Sequence, residues 1–220
     1  MARILIKDIL ALETGDPAVG TLYGVDLLID GARIARIAKD IPVEPDMDVV
    51  NGTIRVVTPG FVNTHHHLFQ TLTRAVPFVQ DAKLFDWLVG LYEVWRHLSE
   101  EGAYVSAVIG LAELALTGCT TAADHFYLFP SSQSNEILDR TIEAAQDVGL
   151  RFAPTRGSMS RGKSMGGLPP DDTVQTEEAI LADYDRVVAA WHDDSPESMC
   201  RVALAPCSPF SVTDKLMRDT

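Results

Sequence analysis

The sequence predicts an α/β protein organised around a parallel sheet and preceded by a small β domain. Residues 1–57 hold short β-like runs separated by turn signals, and from residue 58 apolar strand-like runs alternate with amphipathic helical segments. The first of those later strands ends in three consecutive histidines. Strand and helix in regular alternation is the pattern of βα units feeding a parallel sheet.

In the first region the runs are ILIKDILAL, GVDLLIDG, ARIARIA and TIRVV, with breaks at Gly15-Asp16-Pro17, Asp30-Gly31 and Asn51-Gly52. Asp30-Gly31 between two alternating runs is a hairpin signal, because both residue types tolerate the backbone of a tight turn. In the second region, residues 58–220, the strands are read in VTPGFVNTHH, CTTAADHFY, RFAPTRGS and CRVALAPCS. Between the first two, Leu84, Trp87, Leu88, Leu91 and Trp95 recur at helical spacing, and Val105, Val108, Ile109, Ala112 and Leu116 repeat it. Two helices fit there. The aromatic members of the first stripe read as core packing, with a ligand box as the alternative.

Ser99 before Glu100 and Glu101 is a helix start and Gly118 a stop. Later helices fit residues 135–147 and 176–192, and the segment 211–214 opens another. The stretch RGKSMGGLPPDD, residues 161–172, lacks the earlier glycine that a phosphate-binding loop needs. It reads as a long βα loop, either shaping a site or serving as a mobile connection.

Composition narrows the function. Hydrophobic residues make up 46% and charged residues 22%, and no apolar stretch reaches the roughly 18 residues of a membrane span. The opening segment alternates and carries Lys7 and Asp8, which a secretory signal would not, so a cytoplasmic location is expected. Cys119, Cys200 and Cys207 match no metal-ribbon spacing and read as reduced core thiols. A net charge of −13 opposes binding to nucleic acid, whose recognition depends on clustered Lys and Arg. Neither nucleic acid nor a membrane is an expected partner.

The chemistry concentrates in PGFVNTHHH, residues 59–67. In an extended strand residues i and i+2 project to one side, so His65 and His67 can converge on one ion while His66 faces away. Neutral imidazoles at that spacing suit Zn²⁺, with Fe²⁺ or Mn²⁺ as alternatives. A solvated histidine-rich turn is the competing reading, and the position after an apolar run in mid-sequence argues against it. His125 closes the second strand after Asp124 and is either a substrate contact or a hydrogen-bonded support, while Asp124 orients a neighbour. Arg156 closes the third strand with a planar fork of donors, for a ligand or for an ion pair. His97 and His192 fall on helices and carry no chemistry.

PGFVNTHHH resembles the first-strand signature of the amidohydrolase superfamily, Pro-Gly followed by His-x-His. The preceding β-rich segment, HLFQTLTRA and TTAADHFY resemble the branch that contains guanine, cytosine and hydroxytriazine deaminases and hydrolases. HHHLFQTLTRAVPFVQDAKLFDWL and RGSMSRGKSMGGLPPDD are most similar to 8-oxoguanine deaminases, and the resemblance runs over essentially the whole chain.

The resemblance implies a TIM-type (β/α)8 barrel, with about its first four units in residues 58–220, behind a small N-terminal β-sandwich domain. It implies a zinc ion held first by His65 and His67, and hydrolytic release of ammonia from a purine-like free base, 8-oxoguanine first. Guanine, isocytosine or hydroxytriazine are the alternative substrates, and a catalytically dead assembly module is the non-enzymatic alternative. Gln70 matches the family glutamine and would orient the base, with Arg156 and His125 completing the substrate-binding set. A small-molecule partner and a homo-oligomer follow from the same likeness. The family's remaining ligands and its general acid/base have no counterpart here and are expected downstream of Thr220.

Overall fold

The computed structural model describes residues 3–220. The chain divides into two compact units at the Gly60–Phe61 link.

The first unit holds two sheets. One runs in the order β5-β4-β1-β6, from β1 (Arg3–Ile9), β4 (Val25–Asp30), β5 (Arg33–Ala38) and β6 (Met47–Asn51). The other, β3-β2-β7, joins β2 (Ala11–Glu13), β3 (Thr21–Leu22) and β7 (Val56–Val57). The hairpin signalled by Asp30-Gly31 forms with its turn one residue later: Asp30 still pairs with Arg33 across antiparallel β4 and β5, and Gly31, at φ 59° where a side chain would be strained, opens the turn Gly31-Ala32. Leu5, Leu28, Ile41 and Met47 form one core, and Ile9, Leu12, Val25 and Leu27 a second. Asp26 is buried but satisfied, accepting from the Asp8 and Ile41 N–H groups and pairing with Lys7 at 3.0 Å. β6 was not among the expected runs. Acidic neighbours interrupt its apolar pattern, and its parallel pairing with β1 supplies the order that local sequence does not.

The second unit is a four-stranded parallel sheet with its strands in chain order: β8 (Phe61–Asn63), β9 (Cys119–Phe126), β10 (Arg151–Ser158) and β11 (Ala203–Pro206). Between β8 and β9 lie α1 (Leu84–Trp95) and α2 (Glu100–Leu116); α3 (Ile137–Val148) and α4 (Glu177–Trp191) link the later strands, and α5 (Asp214–Asp219) follows β11. Strand-then-helix order repeated on one parallel sheet is a curled half-barrel.

Ser99, read as a helix start, caps α2, its Oγ accepting from the Gly102 N–H at 3.0 Å. Thr176 and Thr213 cap α4 and α5 in the same way, with Oγ1 accepting from Ala179 at 3.2 Å and from Leu216 at 3.1 Å. Gly110 lets α2 approach the segment that follows the histidines, because a β-carbon there would lie 2.7 Å from Leu68 Cδ2. Phe69, Leu91, Trp95, Phe126 and Leu128 are central to the largest core, which therefore sits directly behind the histidine segment.

Candidate active site

β8 stops at Asn63, so the expected strand over residues 57–66 is cut short and the three histidines lie beyond the ladder. Their arrangement comes from β9 instead of from a strand's own pleat. The His125 N–H donates to the His66 carbonyl at 2.8 Å, His67 Nδ1 bonds the His125 carbonyl at 2.8 Å, and the Leu68 N–H donates to Asp124 Oδ1 at 2.7 Å. Held this way, the His65 and His67 rings stand edge to face with centroids 4.9 Å apart.

A carbonyl only accepts, so the bond to His125 assigns the His67 proton to Nδ1 and leaves the Nε2 lone pair for another partner. A ring nitrogen braced on a backbone carbonyl is the usual support of a metal-binding histidine. Burial also holds the His67 pKa below its ordinary value, which favours the neutral form that a metal requires. The two imidazoles thus fit a zinc ion as part of its ligand set. Among the described residues no group of three or more His, Cys, Asp or Glu is placed so that it could hold a metal ion. His66 packs against Gly110 of α2.

A cavity of about 510 Å³ opens over the C-terminal ends of the strands. His65, His67, Gln70 and His125 give it a polar side, and Leu84, Phe85, Trp87 and Leu88 from the start of α1 an apolar one. Four of the five expected metal and substrate positions therefore meet around one space. The Gln70 amide donates from Nε2 to Tyr127 Oη at 3.3 Å. His125 stands 5.6 Å from His67 and 5.5 Å from Tyr127 between ring centroids. Its Nε2 is buried with no hydrogen-bond partner among the described residues, and burial lowers its pKa. Burial pushes the Tyr127 phenol well up, so it stays protonated. Sequence reading missed Tyr127, although it lies two residues beyond His125 and so on the same side of an extended chain.

Leu91 and Trp95 of the α1 stripe are core as expected, but Leu84, Trp87 and Leu88 line the cavity. The first turns of α1 overhang the end of the sheet, and helical periodicity does not separate a core-facing turn from a cavity-facing one. The loop 161–172 contributes Leu168 and Pro169 to the wall. It is pinned by Lys163 N–H to Pro169 O at 2.9 Å, by Ser164 Oγ to Asp171 at 2.9 Å and by Arg96 to Asp172 at 2.7 Å. That favours the site-shaping reading. Phe85 and Phe210 meet edge to face at 6.1 Å over the same wall.

Arg156 does not join the site, and its expected substrate role is withdrawn. The strand register pairs Thr155 with His125 and Arg156 with Phe126, which puts Arg156 on the helix side of the sheet. There it is 0% exposed, donating from Nε to Asp183 Oδ2 at 2.7 Å and from Nη2 to Gln175 Oε1 at 2.7 Å. Nη1 bonds the Gly157 carbonyl, and the guanidinium lies 3.6 Å from the Phe129 ring centroid. Each guanidinium nitrogen has a partner inside the fold, and the buried side chain lines none of the cavity. Asp124 also lies on the helix side, fully buried, with its carboxyl pushed up to about 7 by that burial.

Parallel strands in chain order with a cavity over their C-terminal ends form the half-barrel arrangement in which βα-barrels place their sites, and a His-x-His pair lies here just past the first strand. The model described as "Amidohydrolase family" matches residues 56–220, and the chain belongs to that family. It is 44% identical to 8-oxoguanine deaminase of Pseudomonas aeruginosa, over 99% of this chain and 48% of that protein. It is 36% identical to hydroxydechloroatrazine ethylaminohydrolase of Pseudomonas sp. (strain ADP), over 90% of this chain and 44% of that one. Among solved structures, atrazine chlorohydrolase from Arthrobacter aurescens TC1 complexed with zinc superposes with a TM-score of 0.88 at 30% identity, over 97% of this chain and 48% of that one. The chain thus spans about half the length of the relatives it matches.

Proposed function

We propose that the full-length protein is a zinc-dependent hydrolytic deaminase of a purine-like free base, with 8-oxoguanine as its substrate. The observation that carries the reading is the His65–His67 pair, its second ring braced by a backbone carbonyl, facing a cavity with one polar and one apolar side. The 44% identity to an 8-oxoguanine deaminase supports the choice of base.

Zinc, when bound, lowers the pKa of its water and so supplies a nucleophile near neutral pH. Iron or manganese would suit the same imidazoles less specifically. The remaining roles belong to this chain. Gln70, steadied by Tyr127, both donates and accepts and so reads a base edge. His125, its pKa lowered by burial, lines the same space as a neutral imidazole. Trp87 and Leu88 give the flat faces of a heterocycle an apolar surface. By likeness to the family, a complete eight-unit barrel with its other ligands and general acid/base would need more residues than the half-length match contains.

The net charge of −13 supports a small uncharged base over a polyanion, and no helix among the described residues is long and apolar enough to cross a membrane. A cytoplasmic homo-oligomer with a small N-terminal β-sandwich completes the reading, by likeness to the family. A hydroxytriazine amidohydrolase is the second reading, favoured by the 36% identity to a hydroxydechloroatrazine hydrolase.

The test is ammonia release by full-length, zinc-loaded protein given 8-oxoguanine, guanine, isocytosine and a hydroxytriazine, with a chelated control. Chelator-sensitive preference for 8-oxoguanine is expected. Preference for the hydroxytriazine selects the second reading, and zinc-bound protein silent on all four leaves the assembly module.

A further inference from the structure

We propose that Asp124 is a positioning residue that, through the Leu68 N–H, locks the turn aiming His65 and His67 at one ion; this rests on reading that pair as metal ligands. The problem it solves is local. β8 ends at Asn63, so residues 64–67 have no sheet ladder of their own to set their direction. Three bonds from the end of β9 take its place, and only one of them uses an acceptor on a side chain, Asp124 Oδ1 to the Leu68 N–H at 2.7 Å.

The place of that bond matters. Leu68 is 0% exposed and opens the 3-10 turn Leu68–Thr73, whose preceding residue, His67, makes no side-chain cap of its own. Asp124 acts as that missing cap from another strand. One acceptor therefore sets the register of His67 just before it and of Gln70 just after it.

Asp124 cannot act from within the cavity, because it alternates with His125 and so shares the helix side of β9 with Phe126. The carboxyl is 1% exposed, and its Oδ2 has no hydrogen-bond partner among the described residues. A half-satisfied carboxyl in a core opposes folding, and such local conflicts gather where a site must be held in one geometry.

The test uses the full-length protein with Asp124→Ala, Asp124→Leu and Asp124→Asn. Zinc affinity is read by chelator competition, and the His67 tautomer by ¹⁵N NMR of the metal-free protein. Removing the acceptor is expected to weaken zinc binding roughly 10- to 100-fold and to release His67 from its single Nδ1–H tautomer. Asparagine still presents Oδ1, so both readouts are expected to stay within about threefold of wild type. Leucine fills the buried space without an acceptor and carries the test if the alanine variant does not fold.

A folded alanine or leucine variant with wild-type affinity and tautomer overturns the proposal. So does an asparagine variant that fails as far as alanine, which would assign the effect to charge. Wild-type protein that holds one His67 tautomer and binds no zinc would instead remove the proposed function, leaving the tautomer readout to decide the role of Asp124.

Discussion

Along β9 and β10 one face of the sheet carries His125 and Tyr127 towards the cavity, while the other carries Phe126 and Arg156 towards the helices. The two faces differ in how their polar groups end. Arg156 has each of its three nitrogens bonded, to Asp183, Gln175 and Gly157, in a fully buried setting. His125 has a buried ring nitrogen without a partner, and the His67 Nε2 lone pair is left open by the bond at Nδ1. Hydrogen-bond capacity left unfilled on one face, and closed on the other, separates groups that act on a ligand from groups that hold the scaffold. Asp124 is the exception on the helix face, buried with one oxygen unfilled.

The largest effect is expected on the cavity face. Replacing His65 and His67 together by alanine is expected to reduce bound zinc to background and abolish ammonia release, while circular dichroism keeps its folded signature. Retained zinc would move the metal elsewhere. On the helix face, Asp183→Ala leaves the Arg156 charge buried without its ion-pair partner and is expected to lower stability to urea by about 3–5 kcal/mol. A loss of kcat/KM with unchanged stability would return Arg156 to the substrate.

The Asp124 carboxyl sharpens the contrast through pH. Its folded pKa of about 7 lies above the 3.8 of an unperturbed aspartate, so below about pH 4 it is protonated in both states and contributes nothing. Between pH 4 and 7 the unfolded chain releases the proton that the folded protein retains, and stability falls with rising pH by up to about 4 kcal/mol before levelling off. Urea titrations of metal-free protein at pH 4.5 and 7.5 are expected to show that slope in wild type and not in Asp124→Asn. The smallest effect is expected at Gln70. Gln70→Ala removes one neutral hydrogen bond to the substrate and should raise KM about two- to tenfold with kcat little changed.

Much of this organisation was legible in the sequence because local chemistry dictates it. A hairpin forms beside Asp30-Gly31, Ser99 caps its helix, and the four strands of the second unit fall within the runs read for them. His65, His67, Gln70 and His125 come together around one cavity. What escaped depends on neighbours that no local pattern records. The side on which Arg156 falls is set by its register against β9, and the end of β8 by where its ladder stops. Leu84, Trp87 and Leu88 share a helical stripe with Leu91 and Trp95, yet differ in whether sheet or cavity lies beneath them. Tyr127 follows from the same alternation, two residues past His125, and is both packed in the core and on the cavity wall.

Zinc-edge X-ray absorption of the full-length protein, wild type against the His65→Ala/His67→Ala variant, tests the metal assignment most directly. Imidazole nitrogens at about 2.0–2.1 Å in the wild type, lost in the variant, are predicted. Zinc whose nitrogen shell is unchanged by the double substitution, or whose ligands are sulfur, would contradict it.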